Sequence, residues 1–150
     1  MLESHKTLVR RYFEELCHGP TLAACAEIVA TDYLEHAVAP FGDSAPGRVN
    51  GPEAMRATAA WLLAQFPDLR MTIEAIVAED DTVAVRVLAE GTNLGPLNGV
   101  VPATGKRFTA RQSHWFRMAD DRLVEHWAMR DDLAVMLQLG ILHAPGRPPQ

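Results

Sequence analysis

The apolar side chains change their spacing once along this chain, and that switch restricts the fold more than any other feature. Up to residue 66 they recur every three or four positions, and from residue 71 they alternate. Leu8-Val9, Tyr12-Phe13 and Leu16 predict an amphipathic helix ended by Gly19-Pro20. Thr21 is placed to cap a second helix carrying Leu22, Cys25, Ile28 and Val29 and ending near Thr31-Asp32. Pro52 suits the first turn of a third, with Met55, Ala59, Leu62, Leu63 and Phe66 on its buried stripe and Pro67 as its stop. Beyond it Met71, Ile73, Ala75 and Val77 predict a strand, Glu79-Asp80-Asp81 a turn, and Val83, Val85 and Val87 the returning strand of a hairpin. Phe108 to Met118 and Leu123 to Met129 form a second pair around Ala119-Asp120-Asp121, and Leu133, Met136, Leu137 and Leu139 a short closing helix ending at Gly140. Residues 37–52 and 91–106 are rich in Gly, Pro and Asn and read as long connections, the first with the character of a lid or binding loop. Helices first and hairpins later predict an α+β fold with a segregated antiparallel sheet, not a parallel βαβ array.

At 150 residues the chain is expected to be one domain, residues 1–150, with 146–150 as a frayed tail. A net charge of −5, with both signs mixed along the chain, offers no basic surface for nucleic acid. No apolar run approaches the roughly 20 residues of a membrane span, and the polar start Met1-Leu2-Glu3-Ser4-His5-Lys6 does not read as a signal peptide. Cytoplasmic residence is the expectation. Cys17 and Cys25 lack CxxC spacing and read as buried thiols.

Gly99, the run Pro102-Ala103-Thr104-Gly105-Lys106, Phe116-Arg117-Met118, Glu125-His126-Trp127 and Gln138-Leu139-Gly140 occur in an order and spacing that resembles the SnoaL-like polyketide cyclases, often called ester cyclases, of the NTF2-like superfamily. Tyr33 and His36 before the first long loop, and Phe66-Pro67-Asp68 after the third helix, extend the resemblance over most of the chain. It implies a conical barrel in which a curved antiparallel sheet and N-terminal helices enclose a deep hydrophobic pocket. It also implies homodimerisation through the outer sheet face, and no metal or organic cofactor. The family's reaction is an intramolecular aldol condensation: a carboxylate removes a proton next to a carbonyl, and conjugation in the substrate spreads the enolate charge. The family's acid/base Asp directly follows the Glu-His-Trp string, and here that position holds Ala128.

Strand alternation sets Gln112, His114, Phe116 and Met118 on one face, and Thr109, Arg111, Ser113, Trp115 and Arg117 on the other. Phe116 and Met118 mark the pocket side, so His114 and Gln112 face inward, where a neutral imidazole can donate to an enolate oxygen or relay a proton; a structural histidine is the alternative. His126 shares a face with Ala128 and is expected to line the same cavity, tuning a polar pocket rather than holding zinc. Asp131 and Asp132 are the nearest carboxylates able to replace the absent Asp. Asp132 is expected to cap the closing helix, which leaves Asp131 as the candidate base or as a salt-bridge partner of Arg130 or Arg86. His36 and Tyr33 are expected at the mouth as substrate contacts, Trp61 as a wall of the pocket or as core, and Trp115 at a dimer contact.

Three functions fit these residues. The first is a cofactor-independent cyclase, isomerase or lyase that abstracts a proton from a hydrophobic carbonyl compound, using Asp131, His114 and His126. The second is a ligand-binding protein that keeps the cone without the chemistry. The third is an epoxide-hydrolase-like enzyme, for which Arg86 or Arg111 would supply an arginine deep in the pocket.

Overall fold

The structure, a computed structural model, describes residues 1–38, 48, 49 and 51–146. Most of the expected 37–52 loop and all but the first residue of the expected frayed tail lie outside the described residues. Helix α1 (Leu2–Leu16) buries Val9, Tyr12, Phe13 and Leu16, the stripe its periodicity predicts. Thr21 Oγ1 accepts the Ala24 N–H at 3.1 Å and starts α2 (Leu22–Ile28). The helix is shorter than expected: Val29 already has extended backbone, φ −109° and ψ 142°, and opens strand β1 (Val29–Glu35). Val29, Thr31 and Tyr33 are strand-favouring residues at alternate positions, a signal that the helical reading of this stretch overrode.

Strand β2 (Arg48–Val49), helix α3 (Pro52–Gln65), strands β3 (Arg70–Glu79), β4 (Thr82–Thr92), β5 (Arg107–Ala119) and β6 (Arg122–Arg130), and helix α4 (Asp132–Gln138) complete the described elements. The strands form one curved sheet in the order β2-β1-β6-β5-β4-β3, antiparallel except where β1 lies parallel to β6. Consecutive hairpins arise as the alternation predicts, with the turns at Asp80 and Asp120-Asp121 in left-handed backbone. No helix among the described residues is long and apolar enough to cross a membrane.

Register shifts in the β3–β4 and β5–β6 pairs set which residues of β3 and β6 face inward. The β3–β4 register shifts between Ile73 and Ala75, so Ile76 and Ala78 join the core while Val77 is 64 % exposed. The expected inward set Met71, Ile73, Ala75, Val77 is therefore corrected in its second half: a strict period of two cannot anticipate the one-residue slip of a bulge. In β6 the register shifts opposite Arg117 and Met118, and Leu123 and His126, three residues apart, both turn inward and are buried. Val83, Val85, Val87, Phe116, Met118 and Leu123 then pack against the inner stripes of α1 and α2. A second cluster joins Phe66, Leu69, Phe108, Val135 and Leu139 at the other end. The 93–106 connection is tied to it by the fully buried Asn93. Its Nδ2 donates to the Gly95 carbonyl at 2.7 Å, and its Oδ1 accepts from the Thr104 N–H at 2.9 Å.

Candidate active site

The sheet's inner face is apolar except for a line of polar groups crossing β5, β6 and β1. His114 and His126 are 5 % and 4 % exposed. Their rings lie within 6° of parallel, with His114 Nδ1 and His126 Nε2 2.8 Å apart. His114 Nε2 meets Gln112 Oε1 at 2.7 Å, and His126 Nδ1 meets the two Glu35 carboxylate oxygens at 2.9 and 2.8 Å. Glu35 reaches His126 because the two residues are register partners in the parallel β1–β6 pair and share its inner face. The Tyr33 hydroxyl donates to Glu35 at 3.1 Å and is itself a hydrogen-bond neighbour of the Tyr12 hydroxyl. Burial holds both phenols protonated, with their pKa values raised above the ordinary range.

Packing fixes the imidazole planes. Phe116 stacks on His126 with centroids 4.6 Å apart, and Phe13 presents its edge to His114 at 4.9 Å. Burial, then the neighbouring His126 and the Arg130 guanidinium, hold the His114 pKa well below 6.5, so the ring is neutral at neutral pH. With Gln112 Oε1 accepting, the single proton of neutral His114 sits on Nε2, its Nδ1 accepts from His126 Nε2–H, and one further proton lies between His126 Nδ1 and Glu35. Turning the Gln112 amide over reverses the first two bonds: His114 Nε2 becomes an acceptor, and the set holds one proton fewer. The arrangement therefore supports two protonation states of the same four side chains, and all four imidazole nitrogens are engaged within it.

An open cleft of about 900 Å³ lies between α1 and β3, lined by Phe13, Ile73 and Ile76 with Arg10, Glu14 and His18 among its polar groups. Ile73, Val87, Gln112 and Arg130 form one row across the sheet, and Ile76, Val85, His114 and Ala128 the next. The cleft wall thus begins the rows that carry Gln112, Arg130 and His114, and His126 and Glu35 lie one row further, with Val83 and Phe116.

The candidate residues fall into separate places. His114, His126, Gln112, Tyr33 and Phe116 converge on the inner face. Asp131 does not: it is exposed and is the N-cap of α4, accepting the Ala134 N–H at 3.0 Å. Asp132, expected as that cap, instead meets Arg130 at 3.3 Å, because the helix begins one residue earlier than the apolar pattern suggests. His36 lies on the outer face. Its ring stacks on Trp127 at 4.7 Å and its Nε2 meets Glu125 Oε2 at 2.7 Å, an interaction that, with Arg117, holds the Glu125 carboxyl below its ordinary range. The physical reason is β1 itself: alternation along a strand turns Glu35 inward and His36 outward. Trp61 is half-buried on α3 and stands outside both core clusters. Arg86 and Arg111 both pair with Glu74 on exposed side chains, so neither supplies the interior arginine of the epoxide-opening reading. Trp115 and Trp127 oppose each other on the outer face, 48 % and 39 % exposed.

Glu35, Tyr12 and Arg130 are the inward polar residues that sequence reasoning missed. A strand reading of Val29-Ala30-Thr31-Asp32-Tyr33-Leu34-Glu35 was the available signal for Glu35. Because Asp131 caps a helix, Asp131→Ala is expected to lower stability by about 1 kcal/mol, the usual worth of an N-cap, and to leave the catalytic rate per folded molecule unchanged. A denaturant titration beside an assay at saturating substrate checks both halves.

Helices packed on a curved, mainly antiparallel sheet are the frame of a known class, and residues 7–139 match the model of the SnoaL-like polyketide cyclases. The chain belongs to the SnoaL-like polyketide cyclase family. It is 33 % identical over 135 residues to the aklanonic acid methyl ester cyclase DnrD of Streptomyces peucetius, covering 89 % of this chain and 88 % of that protein. The corresponding cyclase DauD of Streptomyces sp. (strain C5) is also 33 % identical over 135 residues, covering 89 % of this chain and 80 % of DauD. Among solved structures, IdmH from Streptomyces antibioticus superposes with a TM-score of 0.77 at 31 % identity, covering 91 % of this chain and 98 % of its own. TsrD from Streptomyces laurentii gives 0.78 at 26 %, covering 93 % and 97 %.

Proposed function

We propose that this protein is a cofactor-independent cyclase-type enzyme that removes a proton next to a carbonyl of an apolar polyketide-like substrate, with His114 as the base. The observation that carries the reading is the unbroken hydrogen-bonded series Gln112–His114–His126–Glu35. A desolvated imidazole alone is a poor place to leave a positive charge. Here, as His114 Nε2 takes the substrate proton, Nδ1–H passes to His126 Nε2, and the charge comes to rest on His126 against the Glu35 carboxylate. The end state has the bond pattern in which Gln112 Oε1 accepts from His114 Nε2–H, so Gln112 holds the base in its protonated form. The Gln112 amide gives up His114 Nε2 to the substrate C–H and turns over, while the transfer behind it runs along bonds of 2.8 to 2.9 Å to His126 and Glu35, so no ring has to move.

Substrate reaches this series through the α1–β3 cleft, whose Phe13 touches both the cleft and His114. Ala128, the register partner of His114, holds the position where the family's acid/base carboxylate is expected. The family's carboxylate role is thus divided between His114 at the substrate and Glu35 two groups behind it.

Aklanonic acid methyl ester, on which the similar cyclases are named to act, is the first compound to test. Incubated in deuterated buffer without added cofactor, it is expected to be consumed, or to exchange the acidic hydrogen next to its carbonyl for deuterium. An ester that binds, seen as a rise in melting temperature, yet is neither consumed nor deuterated identifies a binding protein and overturns the proposal.

A further inference from the structure

Resting on that reading of His114, we infer that Arg130 is the electrophilic partner of the reaction, its guanidinium binding the carbonyl oxygen on which negative charge develops as the proton leaves. Arg130 ends β6 on the inner face, where alternation from His126 through Ala128 places it. It is the register partner of Gln112 and the diagonal neighbour of His114. Its side chain is only 12 % exposed, which is unusual for a cation unless it is held on purpose by partners. Two of its nitrogens are so held: Nε meets Asp132 Oδ1 at 3.3 Å, and Nη2 donates to the Val38 carbonyl at 2.6 Å and meets Asp132 Oδ2 at 3.3 Å.

Nη1 has no partner among the described residues. The guanidinium is therefore anchored through Nε and Nη2 beside the base, and Nη1 is the nitrogen offered to an incoming oxygen. The register pairing with Gln112, one row from His114, places the charge at the end of the polar line. A fixed cation in a poorly hydrated site is the arrangement that favours an enolate over its parent ketone.

The step balances without a co-reactant. The C–H proton goes to His114 Nε2, the electron pair of that bond forms the new C=C bond, and the carbonyl π electrons move to oxygen, whose charge Arg130 Nη1–H meets. Later attack of the enolate carbon on a second carbonyl returns the pair, and the proton on the imidazole quenches the alkoxide. Arg130 thus restricts the substrate to carbonyl compounds whose oxygen lies one carbon from the acidic C–H. Asp132 keeps the guanidinium in place and offsets its charge when the site is empty.

Dibenzoylmethane, an apolar β-diketone whose enolate absorbs at longer wavelength than its neutral form, serves as the probe, with 1,3-diphenylpropane as a matched skeleton lacking oxygen. Wild-type protein is expected to bind dibenzoylmethane as the enolate. Arg130→Gln should weaken enolate binding by about 10–100-fold, the worth of one hydrogen bond to a charged group, while diphenylpropane binding is unchanged. Arg130→Lys, which keeps the charge on a narrower head, should recover part of the loss and guards against misfolding of the Gln variant. Equal enolate binding by wild type and Arg130→Gln overturns the role of Arg130 and leaves His114 as base. A wild type that binds the diketone only in neutral form overturns the proton-abstracting reading itself, and binding of neither compound overturns both.

Discussion

His114→Asn is expected to lower proton removal from aklanonic acid methyl ester by about 10²–10⁴-fold, the usual contribution of a positioned general base. Asn is the informative replacement because its short amide can still meet His126, so the neighbouring ring is not left with a buried, unpaired nitrogen. On the proposed reading KM should change little, since the cleft lined by Phe13, Ile73 and Ile76 would hold the substrate and the imidazole acts mainly as the proton moves. Steady-state kinetics with deuterium exchange on the same samples give the test. A variant with wild-type kcat removes His114 from the base role, whatever happens to its stability.

Glu35→Gln should cost about 10–100-fold in kcat. The amide keeps the shape and a hydrogen bond to His126 Nδ1 but gives up the negative charge that stabilises an imidazolium there, and a hydrogen bond to a charged group is worth about 1.5–3 kcal/mol. Glu35 acts through His126 and not on the substrate, so it is a positioning residue, and a kcat loss with unchanged KM separates this role from general damage. Glu35→Asp should recover part of the rate. The two losses should not add: without His114 there is no proton to pass on, so the double variant should be little slower than His114→Asn alone. Additive losses would show that Glu35 works independently of the imidazole series.

The readability of this chain follows from which features are local. The helix stripes of α1 and α3, the Thr21 cap and both hairpins were legible because periodicity, breakers and turns act over a few residues. His114 and His126 were correctly placed inward by alternation from Phe116 and from Ala128. Glu35 was not found, because a strand lying parallel to β6 is held by pairing with a segment some ninety residues away, and nothing local in Val29–Glu35 announces that partner. His36 went to the wrong face for the same reason, since without a strand there was no alternation to apply. Val77 shows the complementary failure: the strand was read, but its bulge depends on the pairing and not on the composition. Asp131 and Asp132 exchanged roles through a one-residue difference in the start of α4.

The claim beneath all of this is that a neutral imidazole at position 114 is wired through residue 126 to a carboxylate. Nitrogen-15 NMR of histidine-labelled protein reads that directly, because the two ring nitrogens report protonation and tautomer separately. His114 should keep the signature of a neutral ring as pH falls through 6.5, and Glu35→Gln should shift the His126 nitrogens, with a smaller shift at His114. A His114 ring that gains its second proton near the ordinary value, with His126 signals indifferent to the change at Glu35, would contradict the account.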